Sequence, residues 1–227
     1  MYDEEFFKKI FPFWDKLSDN DKNMFERYSS AVSYDRGTMI HSTKAECTGA
    51  IIVKTGCIRA YMMSDEGREI TLYRLYPGDI CMLSASCVLK SITFDVFIDA
   101  VEKSECLVIN GKTLSDISQR NMFVKNFALE TAVSRFSDVM WVMQQILFMS
   151  LDKRLAIFLC SESEKNQSDT VRLTHEQIAK YMGSAREAVS RMLKYLSREN
   201  IVESSRAGVR ITDRARLEKL AFDQLKD

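Results

Sequence analysis

The chain is short of the residues on which most catalytic chemistry leans. It has two histidines, His41 and His175, in 227 residues. So few imidazoles leave little general-base capacity. No Ser/His/Asp set, paired-carboxylate motif or phosphate-cradling loop can be read either, so an enzyme is not expected. The six cysteines (Cys47, Cys57, Cys81, Cys87, Cys106 and Cys160) include no Cys-x-x-Cys pair. That excludes the usual zinc and ferredoxin-type spacings, and no metal is expected. No apolar run is long enough to span a bilayer, and Asp3, Glu4 and Glu5 occupy the place of a signal peptide's basic start. The expectation is a cytoplasmic protein without membrane contact, whose cysteines are small buried hydrophobes. Net charge is missing too, with 32 basic against 32 acidic residues. A composition 46% apolar and 28% charged is that of a soluble globular chain of one large or two small domains.

The charge is balanced overall but unevenly spread. Residues 172–216 hold ten Lys/Arg against five Asp/Glu, and the remainder is net acidic. The basic stretch also has a pattern. Ile178, Ala179 and Met182, then Val189, Met192, Leu193 and Leu196, mark the apolar faces of two helices, with Gly183 as the turn between them. Thr174 with Gln177, and Ser184 with Glu187, fit two capping boxes. Arg186, Glu187, Ser190 and Arg191 share the outer face of the second helix, and Lys194 continues it. An ordinary helical hairpin with a solvated charged face is the bland alternative. The caps, small Ala179 and the polar set instead favour a helix-turn-helix whose second helix enters a DNA major groove, with Thr174, Ser184 and Lys194 as flanking contacts. Two β-type runs, Ile201–Glu203 and Val209–Ile211, flank a turn with Ser204, Ser205 and Gly208 and read as a wing; a last helix is expected over 213–225.

Upstream the periodicity changes twice. Residues 4–30 read as helical, with a break at Pro12 and Ser18 as a cap. From about 32 to 112, short β-type runs alternate with turns such as Tyr76-Pro77-Gly78-Asp79, as in a sandwich or barrel, here a small jelly roll. Residues 113–149 turn helical, and Phe123–Met149 carries a dense apolar stripe (Phe127, Val133, Phe136, Val139, Met140, Met143, Ile146, Leu147). So long an apolar helix needs a partner, and a second copy is expected to supply it. Ser150 would cap a helix over Leu151–Glu164, leaving Phe148–Asp152 as a hinge and Ser163–Thr170 as a polar loop. The expected fold is α+β: a cupin-like jelly-roll sensor domain (1–120), a long dimerisation helix (121–150) and a winged helix-turn-helix (151–227).

That order of parts resembles the Crp/Fnr family of bacterial transcription regulators over essentially the whole chain. The resemblance is carried by Gly49–Gly56, Asp65–Glu69 and Pro77–Asp79 upstream, and by Leu173-Thr-x-Glu-x-Ile-Ala-x-x-Met-Gly183 with Arg186-Glu-x-x-Ser-Arg191 downstream. It implies a homodimer on palindromic double-stranded DNA, with TTGAT- or TGTGA-like half-sites read by Arg186, Glu187, Ser190 and Arg191, an allosteric signal in the β domain, and contact with RNA polymerase. The input end departs from the family. Leu83-Ser84 and Phe94-Asp95 stand about where the cyclic-nucleotide branch has Gly-Glu and Arg-Ser, so a phosphodiester would face no arginine and a carboxylate. Cyclic AMP is therefore not expected, and the Fnr branch's N-terminal cysteine cluster is missing. What remains is an apolar, sulfur-rich set: Cys81, Met82, Leu83, Cys87 and Phe94, with Met140 and Trp141 from the long helix. It leaves open an apolar small-molecule effector, thiol chemistry at Cys81 and Cys87, or plain core filling. A sensor acting through protein contacts, without specific DNA binding, is the competing function.

Overall fold

The computed structural model describes residues 4–42, 48–82, 95–205 and 207–222. The chain divides into two compact units, residues 1–63 with 72–139, and residues 64–71 with 140–227.

The first unit opens with helices α1 (Glu4–Ile10) and α2 (Asp19–Arg27), the second started by Ser18, whose hydroxyl accepts from the Asp21 amide. Helix α2 ends earlier than the sequence suggested. Tyr28 leaves the helical region and the Ser29 hydroxyl donates to Phe25 O at 2.5 Å, so Ser29 already belongs to a strand. Eight strands follow among the described residues: β1 (Ser29–Tyr34), β2 (Met39–His41), β3 (Ala50–Thr55), β4 (Ile58–Met63), β5 (Glu69–Leu75), β6 (Ile80–Cys81), β7 (Phe97–Ala100) and β8 (Ser104–Ile109). They form two four-stranded sheets, in the orders β1-β8-β3-β6 and β2-β7-β4-β5, a jelly-roll arrangement in which β1 and β3 pair antiparallel with β8, β6 with β3, and β2 and β4 with β7.

Period-two alternation decides what each strand faces. Along β3, Ile51 and Val53 join a cluster with Ile58, Leu72, Leu75 and Ile98 of the other sheet, which is the sandwich core. Ala50 and Ile52 point the other way, into a second cluster with Phe7, Phe11, Trp14 and Phe25. Strand β3 is thus buried on both faces, which is why it reads as a continuous apolar run. The N-terminal helices are held to the sheet by this aromatic cluster, where Phe7 stacks on Trp14 at 4.6 Å.

The helical tract expected after residue 113 breaks once. Asn121 is extended, and its side-chain oxygen accepts from the amides of Phe123 and Val124 at 3.0 and 3.3 Å. It therefore ends α3 (Gly111–Arg120) and starts the long helix α4 (Met122–Phe148). Only Val124 and Ala128 of α4 are buried, while Val133, Phe136 and Leu147 are more than 60% exposed in the single chain.

The second unit contains α5 (Leu151–Asn166), β9 (Thr170–Val171), α6 (His175–Met182), α7 (Arg186–Arg198), β10 (Val202–Ser205), β11 (Gly208–Ile211) and α8 (Arg214–Phe222). Ser150 stands at the N-cap of α5 but makes no side-chain cap bond. Leu155, Leu159, Ile178, Val189, Leu193, Leu196, Val209 and Leu217 form its core. Part of the expected polar loop is a strand. Gln167 adopts a left-handed conformation that closes α5, and β9 then pairs with β11 to give a three-stranded sheet in the order β10-β11-β9.

Candidate nucleic-acid interface

Helices α6 and α7 are joined by a three-residue turn, Gly183–Ala185, and its closure explains where each helix begins and ends. Thr174 caps α6 as the sequence suggests: its hydroxyl accepts from the Gln177 amide at 3.2 Å, and the Gln177 side chain accepts from the Thr174 amide at 2.9 Å. Such a cap stabilises by about 1 kcal/mol. Gly183 ends α6 at φ 60°, and the amides of Gly183 and Ser184 return to Lys180 O and Ala179 O. A Cβ on Gly183 would come within 3.1 Å of Ile70, so a side chain there meets both a strained backbone and a tight neighbour. The C-terminal carbonyls of α6 are covered by side chains. Arg68 Nη2 donates to Gly183 O at 2.6 Å, Thr71 Oγ1 donates to Lys180 O at 3.2 Å, and Arg154 donates to Met182 O. Burial, followed by the neighbouring Arg68, holds the Arg154 pKa below its ordinary value.

The second capping box does not form. Ser184 is spent on closing the turn, so the N-cap of α7 is Ala185, and Ser184 is one residue too early. Glu187 is then the second helical residue rather than the third. Its carboxylate lies in the first turn, where the helix dipole favours it, with no side chain capping the turn's amides.

The α7 face is otherwise as expected. Val189, Leu193 and Leu196 turn inward and are fully buried. Arg186, Glu187, Arg191 and Lys194 are exposed, and Ser190 is half-buried. Arg186 lies 3.9 Å from Glu176, an exposed pair worth little. Among the described residues, Glu187, Arg191 and Lys194 have no side-chain hydrogen bond or ion pair. Their polar ends are therefore available to a ligand. Ser190 is not idle: its Oγ is 2.9 Å from His175 Nδ1, and His175 Nε2 is 3.0 Å from Ser204 Oγ in the wing. Sequence reasoning missed His175, although its rarity and its place directly after the Thr174 cap were visible signals.

The wing is anchored rather than free. Val209 pairs with Val171, and Gly208 packs so closely that a Cβ there would fall 2.2 Å from Val171 O.

The residues expected to line an effector pocket are placed as follows. Leu83, Cys87 and Phe94 lie outside the described residues. Cys81 and Met82 are buried in two different clusters of the first unit, the sandwich core and the aromatic cluster. Met140 and Trp141 fall in the second unit and are 43% and 39% exposed. Within the first unit, Arg135 of α4 bonds Asp79 of the Pro-Gly-Asp turn and Asp138, both at 3.1 Å.

A helix-turn-helix with its second helix exposed, backed by α5 and flanked by a three-stranded sheet with a hairpin wing, is a winged helix-turn-helix DNA-binding domain. Comparison with known proteins agrees. Residues 153–220 match the Crp-like helix-turn-helix domain, and residues 31–121 match the cyclic nucleotide-binding domain. A crystal structure assigned to the Crp/Fnr family of transcriptional regulators, from Eubacterium rectale, is 42% identical with a TM-score of 0.88; the match covers 93% of this chain and 98% of that one. The nitrogen fixation regulation protein FixK of Bradyrhizobium diazoefficiens is 28% identical over 87% of this chain and 84% of its own length. The structure of FixK2 from Bradyrhizobium japonicum, 18% identical, shares the fold with a TM-score of 0.69 over 85% of this chain and 97% of that one. The chain belongs to the Crp/Fnr family of transcription regulators. It is a DNA-binding regulator of a family in which dimers under effector control are typical. No helix among the described residues is long and apolar enough to cross a membrane.

Proposed function

We propose that the dimer reads a palindrome of TTGAT- or TGTGA-like half-sites through Arg186, Glu187, Ser190 and Arg191, with Thr174, Ser184 and Lys194 on the flanking phosphates. The observation that carries this reading is the unpaired state of Glu187, Arg191 and Lys194 on the outer face of α7. Arginine can fork onto guanine O6 and N7, glutamate can accept from a cytosine amino group, and serine can meet a base edge. The partner copy would cover the exposed stripe of α4, placing two recognition helices about one DNA turn apart. The signal would reach them through the Phe148–Asp152 hinge, in a cytoplasmic protein that contacts RNA polymerase and has no catalytic role.

The signal itself is proposed to be a small apolar molecule rather than cyclic AMP. In the first unit Arg135 is already paired with two carboxylates and Arg59 with Asp99, so neither offers an unpaired cation to a phosphodiester. Thiol sensing is less well supported: Cys81 is fully buried, and the pKa of the nearby Cys106 thiol is pushed up to about 11 by burial and then by Cys81.

Selection from a randomised palindromic library tests the reading face. Glu187→Ala should relax the choice at one base pair per half-site, at a cost of roughly 1–3 kcal/mol. An unchanged selected sequence would remove Glu187 from the reading set.

A further inference from the structure

Ser190 is the member of the reading face whose hydroxyl is already engaged inside the protein. His175 sits between that hydroxyl and a second one, Nδ1 at 2.9 Å from Ser190 Oγ and Nε2 at 3.0 Å from Ser204 Oγ. One imidazole therefore joins the start of α6, the middle of α7 and the wing strand β10. Packing does not force this. His175 and Ser190 are half-buried and Ser204 is exposed, so each hydroxyl could bond to water instead. Nor is the Ser190 proton spent on its own helix in the way that Ser197 donates to Leu193 O at 2.9 Å.

The consequence is chemical. A neutral imidazole has one N–H and one bare nitrogen, and a hydroxyl has one proton. The two serines must then take opposite roles toward the ring. If Ser190 gives its proton to Nδ1, only lone pairs face outward, which suits the amino groups of adenine or cytosine. If Nδ1–H donates to Ser190, the serine proton is free to face outward, which suits thymine O4 or the guanine acceptors. Ser204, on the other nitrogen, takes the complementary role.

We propose that His175 is a positioning residue for base readout. It orients the Ser190 hydroxyl and fixes its donor or acceptor character, with Ser204 of the wing as its second anchor. The proposal rests on the reading of Ser190 as a base contact.

The test uses the full-length protein and a randomised palindromic duplex library, with sequencing of the bound fraction. Binding to the preferred duplex is also titrated against salt, and thermal unfolding is followed for each variant. Ser190→Ala, His175→Ala and His175→Gln should each lose about five- to tenfold discrimination at the same single base pair per half-site. Glutamine reaches the Nε2 position and leaves Ser190 unheld. His175→Asn, whose amide reaches the Nδ1 position, should retain most of the preference. Ser204→Ala should weaken the preference at that same pair, although Ser204 lies in another element. The salt slope should stay as in the parent, since no phosphate contact is removed. Should His175→Ala prove unstable, His175→Gln and Ser204→Ala carry the test.

The idea is overturned if Ser190→Ala shifts the preference while the His175 and Ser204 variants do not. It is also overturned if His175→Ala weakens all sequences evenly with a shallower salt slope, the mark of a phosphate contact. A Ser190→Ala variant with an unchanged preference overturns the base-contact reading as well.

Discussion

His41 shows how one side chain can set a pH limit on the first unit. Burial holds its pKa below the ordinary value of 6.5, and its Nδ1 lies 3.0 Å from Thr48 Oγ1. Above pH 6.5 the ring is neutral in both the folded and the unfolded chain, and its contribution to stability is complete. As pH falls below that value the unfolded chain takes up a proton that the fold resists, so stability drops. Urea midpoints measured from about pH 7.5 to 5.5 should fall, and His41→Gln should flatten the fall. A variant with the parent slope would show that other groups are responsible. Cys106 makes the opposite prediction. With its pKa pushed up to about 11 it stays a thiol at pH 8, and it should resist alkylation in the native state while reacting in denaturant. Rapid native labelling at Cys106 by mass spectrometry would show that the thiol is accessible in the fold.

At the scale of elements, α4 is the piece whose surface is least reconciled with a single chain. Val133 and Phe136 are 65% and 64% exposed three residues apart on one face. Phe136→Glu should convert the dimer to monomer in sedimentation, and should lower DNA affinity through loss of the second half-site. A dimer that persists would move the interface elsewhere. Element by element, much was legible. The Thr174 cap, Gly183, the inward residues of α7 and the extent of β3 all follow from local rules that the structure obeys. What escaped reading depends on contacts far apart in sequence. Strand β9 is two residues long and exists because β11 pairs with it. The Ser184 cap failed because two local rules competed for the same residues, and the left-handed closure of α6 took precedence. The partnership of His175 with Ser190 and Ser204 spans 15 and 29 residues, beyond any local pattern.

At the scale of the whole molecule, a chain of zero net charge binds a polyanion through local surplus. Its attraction to DNA should therefore be short-ranged and confined to the second unit. The logarithm of the binding constant should fall linearly with the logarithm of salt concentration, with a slope set by the phosphates contacted. Lys194→Ala should reduce that slope by about one and weaken specific and unrelated duplexes alike. A loss restricted to the specific duplex would instead make Lys194 a base reader.

The small strand β9 has a mechanical consequence. It pairs with β11 up to Val209, one residue short of the wing's tip pair, and ends three residues before the Thr174 cap, so the wing and the helix-turn-helix are tied to one stretch of chain. Backbone hydrogen bonds therefore set the height of the wing relative to the start of α6. Residues inserted between Ser205 and Gly208 would lengthen the wing beyond this paired stretch and leave the pairing that holds it to β9 in place.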